Sequence, residues 1–343
     1  MLKNFWYACE FSSAVTNKPK QLLMLNQKFV LYRDSQGKPV VLKDKCPHRG
    51  VALSMGKVKD DCIVCPYHGW KFQGDGACVE IPANKPGTPI PKKAVVDSYP
   101  VQEKYGFIWM FYGDLPEQER PPIPALPEFE DPNLRKTHFE QKVDINYTRS
   151  LEGKIDFAHF NIVHQNSFGY SFPSQLNMED YEYNSQDWGA YASINAKSYT
   201  NAGRFFRYIL PAPNSNVKMS LSFYMPNITK VDVDFGRGKF VIFTIHLPVD
   251  DNKTIIKRIQ FRNCFKFRWA DTLLKLASKQ VAIEDKIVVE TQERAIPNDL
   301  AGEIHIAWDT LSIAHRKLYQ KCMAMGWGLK PNQSQAKRQL VNY

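Results

Sequence analysis

Two short loops of this sequence each carry one cysteine and one histidine at close spacing. Cys46 and His48 stand in the segment Cys-Pro-His-Arg-Gly, and Cys65 and His68 stand in Cys-Pro-Tyr-His-Gly-Trp, with sixteen residues between His48 and Cys65. Thiolates hold iron in iron–sulfur clusters, and in one class of [2Fe–2S] centre imidazoles replace the two thiolates of one iron. The spacing therefore predicts a [2Fe–2S] cluster, with Cys46 and Cys65 on one iron and His48 and His68 on the other.

Two cysteines and two histidines could also bind a structural zinc ion. Common zinc sites leave about two to four residues between the first two ligands, whereas a single residue separates Cys46 from His48. Both loops also carry proline and glycine beside the ligands, as is needed where backbone amides approach bridging sulfides closely. These features favour the iron–sulfur cluster over zinc.

Composition narrows the class of protein further. The chain has 343 residues, 43% of them apolar, which is enough for about two domains with real cores. The net charge of +10 permits acidic partners, but the lysines are dispersed and no recognition motif accompanies them, so we expect no nucleic-acid binding. No run of about eighteen apolar residues exists, so we expect no membrane span. The N-terminal residues lack the hydrophobic region of a signal peptide, and the seven cysteines, an odd number, favour a reducing cytoplasm.

A proline-rich segment divides the chain. We predict a small antiparallel β domain over residues 1–115, with cluster loops at 46–50 and 65–70, a connection over 116–138, and a larger α+β domain over 139–343. Apolar runs predict strands, and helical spacing of apolar residues predicts two long late helices. The predicted strands include 28–33, 39–43, 105–112, 189–195, 204–210, 217–224 and 239–247, and the predicted helices cover about 268–293 and 305–324.

A second group of potential metal ligands lies at the start of the larger region. Asp156 and His159 are three residues apart and would share one face of a helix. His164 follows five residues after His159, about 140° around an ideal helix. The helix must therefore end or distort near Asn161 if both imidazoles are to meet one metal. Two histidines and one carboxylate suit a mononuclear iron that activates oxygen, because they leave coordination positions open.

Both motifs together resemble those of the Rieske non-haem iron oxygenases. Respiratory-type Rieske proteins carry an extra cysteine in each loop, where this chain has Val51 and Tyr67. The second segment is similar to the family's Asn-Trp-Lys…Glu-Asn-x-x-Asp-x-x-His-x4-His stretch, although Gly153 replaces its second Asn. The positions that match are Asn146, Glu152, Asp156, His159 and His164, and Tyr147 and Thr148 replace the Trp-Lys pair.

The resemblance implies roles for these residues. His159 and His164 would bind the mononuclear iron. Asp156 would not be a ligand but would bridge, by hydrogen bonds, from His159 to the cluster ligand His68 of a neighbouring subunit. Such a bridge requires an oligomer, and a homotrimer is expected. In this family the catalytic domain is helix-grip-like, so the resemblance predicts that fold for residues 139–343.

The resemblance implies a third iron ligand, a carboxylate from late in the chain. Family members place it in a Glu-Asp element within a long helix, which points to Asp285. Glu284 would point about 100° away from it on a helix, and Asp271 and Glu290 are further alternatives. The other histidines, at 138, 246, 305 and 315, have no partner pattern and are expected to be structural, although His246 on a strand could face a pocket.

The function that the resemblance implies is that of a terminal oxygenase component. Electrons would come from NAD(P)H through a separate ferredoxin or flavin reductase, O₂ would be the co-substrate, and a small organic molecule would be hydroxylated or oxidatively demethylated. Phe205, Phe206 and Phe243 could form walls of its pocket or belong to the core. The alternatives are a ring cis-dihydroxylating dioxygenase and, in another class, an electron-transfer protein with a vestigial second site.

Basic residues close to the cluster loops in sequence could steer the acidic reductase by charge. The alternative is an ordinary solvated basic face. These residues are Arg49, Lys57, Lys59 and Lys71.

Overall fold

A computed structural model of the chain describes residues 1–167, 178, 181–197, 216–236, 238–292 and 302–329. Within these residues the chain forms two compact units, one of Lys3–Ile123 and one of Pro124–Gly328 together with Met1–Leu2. No helix among the described residues is long and apolar enough to cross a membrane. All seven cysteines are free thiols.

The first unit consists of short antiparallel strands in three small sheets. Their orders are β1-β10-β9, β2-β3-β4 and β5-β6-β7-β8. The strands are β1 (Phe5–Phe11), β2 (Lys20–Met24), β3 (Gln27–Arg33), β4 (Pro39–Lys43), β5 (Lys57–Lys59), β6 (Cys62–Val64), β7 (Lys71–Phe72), β8 (Cys78–Glu80), β9 (Val101–Lys104) and β10 (Phe107–Tyr112).

The core of this unit fixes the two predicted cluster loops. Cys46 and Cys65 belong to one buried apolar cluster with residues of the surrounding strands, among them Val30, Leu42 and Ile63. Each loop is therefore anchored to the core of the unit by its buried cysteine. The strand predicted over 105–112 begins later, at Phe107, because Tyr105 and Gly106 have positive φ and form the turn from β9.

The second unit is built on one seven-stranded antiparallel sheet of order β11-β17-β16-β15-β14-β13-β12. Its strands are β11 (Arg135–Val143), β12 (Glu182–Gln186), β13 (Gly189–Lys197), β14 (Asn216–Tyr224), β15 (Ile228–Asp234), β16 (Lys239–Asp250) and β17 (Lys253–Arg262). Its helices are α1 (Tyr147–Glu152), α2 (Phe160–Val163), α3 (Arg268–Val289) and α4 (Thr310–Ala324).

The helices pack on particular strands of this sheet. Helix α1 contacts β16 and β17, α3 contacts β11, and α4 contacts β13 and β14. Val289, the last residue of α3, packs on a small buried cluster of Val143, Ile145 and Ile256. The α+β prediction is confirmed, and α1 and α3 contact neighbouring strands of this sheet, β17 and β11.

Several sequence boundaries differ from the structure. Helix α3 ends at Val289, and α4 begins at Thr310 after a short 3₁₀ turn. In the second unit four strands were not predicted, β11, β12, β15 and β17, because their sequences are rich in charged or other polar residues. In β17, Lys257, Arg258 and Arg262 are nearly fully buried, which an alternating apolar pattern does not anticipate. The strand predicted over 204–210 lies outside the described residues.

Candidate metal centres

The two cluster loops have the same local geometry. The amide of Gly50 donates to the carbonyl of Cys46 at 2.9 Å, and the amide of Gly69 donates to that of Cys65 at 3.1 Å. Both glycines have positive φ, +76° and +72°, a conformation that glycine adopts without strain. Each loop thus turns back tightly on its own cysteine.

The two thiols of these loops are buried neighbours. Cys46 and Cys65 are 2% and 3% exposed. Burial raises the pKa of the Cys46 thiol to about 11, and the neighbouring Cys65 thiol adds to this increase. Without a bound metal the Cys46 thiol stays protonated at neutral pH, whereas a metal would bind both cysteines as thiolates.

The two histidines of the loops are exposed. The ring centroids of His48 and His68 are 4.7 Å apart, and the indole of Trp70 stacks on His48 at 4.6 Å with an interplanar angle of 5°. Two buried thiols and two exposed imidazoles on these loops form a donor set that fits a [2Fe–2S] cluster with one histidine-ligated iron.

The second candidate centre begins where α1 ends. Asp156 is not helical, which corrects the shared helix face that its spacing predicted. Its carboxylate Oδ1 accepts the amide of Ala158 at 2.7 Å, a side-chain turn that favours non-helical backbone. Helix α2 is a single turn, and His159 and His164 lie immediately before and after it.

This single turn and α3 bring three potential ligands together. His159, His164 and Asp285 offer ligand atoms that all lie within 4.8 Å of one another. Oδ1 of Asp285 lies 3.6 Å from Nε2 of His159 and 3.2 Å from Nε2 of His164. Nε2 of His159 is buried without a hydrogen-bond partner among the described residues. An unpartnered buried nitrogen facing a carboxylate and a second imidazole fits a mononuclear metal ion.

The alternative carboxylates have other contacts. Oε2 of Glu284 lies 3.0 Å from Nδ1 of His164, on the side of the ring opposite Nε2. Asp271 pairs with Arg135 and Arg262. Glu290 accepts the backbone amide of Asp144 at 2.8 Å. Glu284 can therefore orient the candidate ligand His164. Asp271 and Glu290 instead bind residues that do not belong to the three candidate ligands.

Lys154 forms an ion pair with the other oxygen of Asp285, Oδ2. Burial acts to raise the pKa of Asp285, but the Lys154 ammonium and the two histidines outweigh it and hold that pKa well below its usual range. Burial lowers the pKa of Lys154, and Asp285 opposes this. Among the described residues, this ammonium and the nearby Arg258 guanidinium supply buried positive charge beside the candidate ligand.

Asp156 lies close to His159, and its side chain is partly exposed. Nδ1 of His159 lies 3.0 Å from the backbone oxygen of Asp156 and 3.6 Å from Oδ2 of its carboxylate. The side chain of Asp156 is 33% exposed. Part of the Asp156 side chain beside His159 is therefore open to solvent.

Two other residues that match the family motif hold α1 in place. Asn146 is the N-cap of α1 and accepts the amide of Thr148 at 3.0 Å. Glu152 accepts two hydrogen bonds from Arg316 of α4, at 2.6 and 2.8 Å. Both position the helix that precedes the histidines.

The remaining histidines lie outside this centre. His246 is fully buried, with Ser150 Oγ 2.9 Å from Nδ1 and Thr229 Oγ1 3.0 Å from Nε2. His315 is fully buried, His138 is exposed, and His305 lies 3.9 Å from Asp309.

Of the three residues suggested as pocket walls, one lies among the described residues. Phe243 is fully buried in β16. Phe205 and Phe206 lie outside the described residues.

Sequence reasoning missed two contributors to the second centre. Lys154 stands in the turn after α1, and Ser167 donates to Oε2 of Glu284 at 2.7 Å. Neither position carries a pattern that would have singled it out, because each contact joins residues more than 110 positions apart.

Models of known protein families match both units of the chain. A family model described as "Rieske [2Fe-2S] domain" matches residues 5–100, and one described as "Vanillate O-demethylase oxygenase C-terminal domain" matches residues 143–325. The chain is 33% identical over 341 residues to chlorophyllide a oxygenase of Arabidopsis thaliana, covering 92% of this chain and 56% of that protein. The same enzyme of Chlamydomonas reinhardtii is 38% identical over 180 residues, covering 50% of this chain and 26% of that protein.

The chain is also similar to a solved structure, and this similarity extends over most of both proteins. Pseudomonas putida NdmA with caffeine superposes with a TM-score of 0.79 at 26% identity, covering 95% of this chain and 92% of that one. The chain thus spans about a quarter to just over half the length of the two chlorophyllide a oxygenases, and nearly all of NdmA. Because the second family model alone matches more than half of the chain, and the first matches the unit with the cysteine–histidine loops, this protein belongs to the Rieske non-haem iron oxygenases.

Proposed function

We propose that this chain is the terminal oxygenase component of a Rieske oxygenase system. The observation that carries the proposal is the grouping of His159, His164 and Asp285 around one unpartnered imidazole nitrogen, in a chain that also carries the cysteine–histidine loops. Residues 1–115 would hold the cluster and residues 139–343 the mononuclear iron, with residues 116–138 connecting them.

The ligands of the two metal centres follow from the donor sets. Cys46, His48, Cys65 and His68 would bind the [2Fe–2S] cluster, and His159, His164 and Asp285 would bind Fe(II). When bound, the cluster supplies single electrons and the mononuclear iron supplies a site for O₂ activation. The protein supplies the fixed orientation of each ligand and, around Asp285, a largely buried environment that excludes water.

Asp156 would connect the two kinds of centre between subunits. The proposal is supported by its partly exposed side chain beside His159, whose carboxylate would accept a hydrogen bond from His68 of a neighbouring chain. This arrangement requires an oligomer in which each iron is served by the adjacent cluster, and we propose a homotrimer.

The electron donor would be a separate ferredoxin or flavin reductase that draws on NAD(P)H. Arg49, Lys57 and Lys59 are exposed beside or near the cluster loops and would attract an acidic donor. Lys71 is less available, because it pairs with Asp60 at 2.8 Å and is 15% exposed. We propose that the system operates in the cytoplasm.

The reaction would be hydroxylation of a C–H bond or oxidative demethylation of a small organic molecule. Support comes from the family model named for vanillate O-demethylase and from NdmA, which is described as a methylxanthine N1-demethylase. These names describe those proteins, and here they indicate only the class of reaction.

The first test is the metal content of anaerobically purified protein. We expect about three irons and two acid-labile sulfides per chain. About two irons with two sulfides, unchanged after reconstitution with Fe(II), would indicate an electron carrier with a vestigial second site. Zinc without sulfide would contradict the oxygenase proposal entirely.

The second test is product mass after turnover under ¹⁸O₂ with a reductase and a panel of candidate substrates. One added oxygen supports hydroxylation, and formaldehyde with loss of a methylene unit supports demethylation. Gain of two oxygens and two hydrogens would instead identify a ring dihydroxylase.

A further inference from the structure

The two oxygens of Asp285 face different partners. Oδ1 lies 3.2 Å from Nε2 of His164 and 3.6 Å from Nε2 of His159. Oδ2 accepts a hydrogen bond from the ammonium of Lys154. The side chains of Lys154 and Asp285 are only 15% and 10% exposed, so water competes weakly for this ion pair.

Lys154 has one carboxylate partner in the part of the chain that the structure describes, and it is Asp285. A second buried charge acts on Lys154, the guanidinium of Arg258, which has the same sign and lines the same small cavity. That cavity measures about 20 Å³, room for about one water molecule. The ammonium therefore has Asp285 as its counter-charge, and little space to find another.

The backbone explains why the lysine reaches the carboxylate. Gly153 ends α1, and a Cβ at this position would lie 3.3 Å from Cγ2 of Val289, tighter than usual contact. Val289 follows Asp285 by one helical turn of α3. Glycine thus lets the end of α1 approach α3 closely, and the next residue, Lys154, lies beside Asp285.

We propose that Lys154 is a positioning residue that withholds Oδ2 of Asp285 from the metal, so that the carboxylate binds iron through Oδ1 alone. The inference rests on the proposed function, in which Asp285 is an iron ligand. A carboxylate limited to one oxygen occupies one coordination position where a chelating carboxylate occupies two. Lys154 thereby keeps a position at the iron open.

This arrangement weakens metal binding. The ammonium repels a divalent cation, and it removes one oxygen that the cation would otherwise bind. Replacement of Lys154 by an uncharged side chain of similar length relieves both effects. We expect Lys154→Met to lower the Kd for Fe(II) at the mononuclear site about tenfold or more.

The test compares three variants with the wild-type full-length protein. Lys154→Met removes the charge and the donor, and Lys154→Arg retains both. Lys257→Met is the matched control, because Lys257 is also buried and paired, with Glu140 at 2.6 Å, but does not contact the candidate ligands. Lys154→Gln replaces Lys154→Met if the latter does not fold.

Two readouts are independent of turnover. The first is the Fe(II) affinity in competition with a chelator. The second is the EPR signal of the Fe(II)–nitric oxide complex, recorded with the cluster oxidised, when the cluster gives no signal. The rhombicity of this signal reports the ligand geometry of the iron, which a merely structural lysine would not alter.

The expected result is tighter Fe(II) binding and a shifted rhombicity in Lys154→Met, with Lys154→Arg and Lys257→Met close to wild type. An unchanged spectrum, or weaker Fe(II) binding, in Lys154→Met would overturn the inference while leaving the proposed function intact. A wild-type protein that binds no mononuclear iron and gives no nitric oxide signal would overturn the proposed function, and the inference with it.

Discussion

Glu284 forms a close buried contact with His164, one of the three candidate iron ligands. Oε2 of the carboxylate lies 3.0 Å from Nδ1 of the imidazole, whose Nε2 faces Asp285. A neutral histidine that binds a metal through Nε2 carries its proton on Nδ1 and can donate it to this oxygen. Glu284 therefore fixes both the ring orientation and the tautomer of His164, while its neighbour in sequence, Asp285, faces Nε2 of the same ring.

Glu284→Gln should weaken Fe(II) binding at the mononuclear site by about tenfold, because a neutral amide is a poorer acceptor and the ring is held less firmly. The measurement is Fe(II) affinity by chelator competition on protein with an intact cluster. Glu290→Gln, on the same helix but bonded to the amide of Asp144, is the control and should retain wild-type affinity. Equal affinities in all three proteins would contradict the role of Glu284.

Asp156→Ala should uncouple the two metal centres while both remain loaded. The carboxylate beside His159 is the proposed bridge to the neighbouring cluster, and its loss removes the hydrogen-bonded path. We expect reoxidation of the reduced cluster in a single turnover with substrate and O₂ to slow by at least about tenfold.

The control for this variant is Asp234→Ala, which also deletes a carboxylate that accepts a nearby backbone amide, that of Gly236 at 2.8 Å. It lies on β15, outside the candidate centre. Normal single-turnover kinetics in Asp156→Ala would remove the bridge from the proposal.

Lys57 and Lys59 are exposed on β5, which precedes the second cluster loop. Reversing both charges should slow reduction of the cluster by an acidic donor by about tenfold at low ionic strength, with the difference shrinking as salt screens it. Stopped-flow reduction at several salt concentrations measures this effect. The variant Lys18→Glu/Lys38→Glu makes the same change of net charge at exposed positions elsewhere, and if it slowed reduction equally, the effect would reflect total charge alone.

Glu152 joins α1 to α4 through a buried, two-pronged ion pair with Arg316. The side chains are 10% and 5% exposed, so Glu152→Ala leaves a buried guanidinium with less compensation. We expect a loss of about 3 kcal/mol in the free energy of unfolding, measured by urea denaturation.

Lys239→Ala provides the comparison for that loss. Lys239 pairs with Asp232 at 3.3 Å but is 38% exposed, so its removal should cost less than about 1 kcal/mol. Equal losses in the two variants would show that burial of the Glu152 pair adds nothing to stability.

His315 is fully buried in α4, and neither ring nitrogen has a hydrogen-bond partner among the described residues. Burial, with a smaller effect of Arg316, lowers its pKa to about 3 from 6.5. The unfolded chain therefore binds this proton more readily, and stability falls as pH falls from 6.5 towards 3. Between pH 6.5 and pH 5 the loss from this group is about 2 kcal/mol.

His315→Leu should reduce that acid sensitivity and, by removing unpartnered polar atoms, raise stability at neutral pH by about 1 kcal/mol. Urea denaturation at several pH values measures both effects. Burial also lowers the pKa of His138, but this position is more exposed than His315, so His138→Leu should reduce the acid sensitivity less than His315→Leu does. A variant at His315 with an unchanged pH profile would mean that another group causes the acid loss.

The sequence alone predicted the two-part organisation into a small β region and a larger α+β region, and the family. It could do so because the cluster ligands lie on two short loops, and ligand spacing within a loop is a local property of the chain. The strands and helices with clear apolar periodicity were found for the same reason. Strands such as β17 were missed, because its buried Lys257 and Arg258 have partners or surroundings that exist only in the folded chain.

Only the tertiary structure decided which side chains surround the second centre. The sequence left Glu284 and Asp285 as competitors, and a helix turns about 100° between them. Their burial against α2 directs one towards Nδ1 and the other towards Nε2 of the same imidazole. The contact of Lys154 with Asp285 joins residues 131 positions apart. A local sequence pattern cannot predict such a contact, because the contact arises from the packing of α1 and α3 on one sheet.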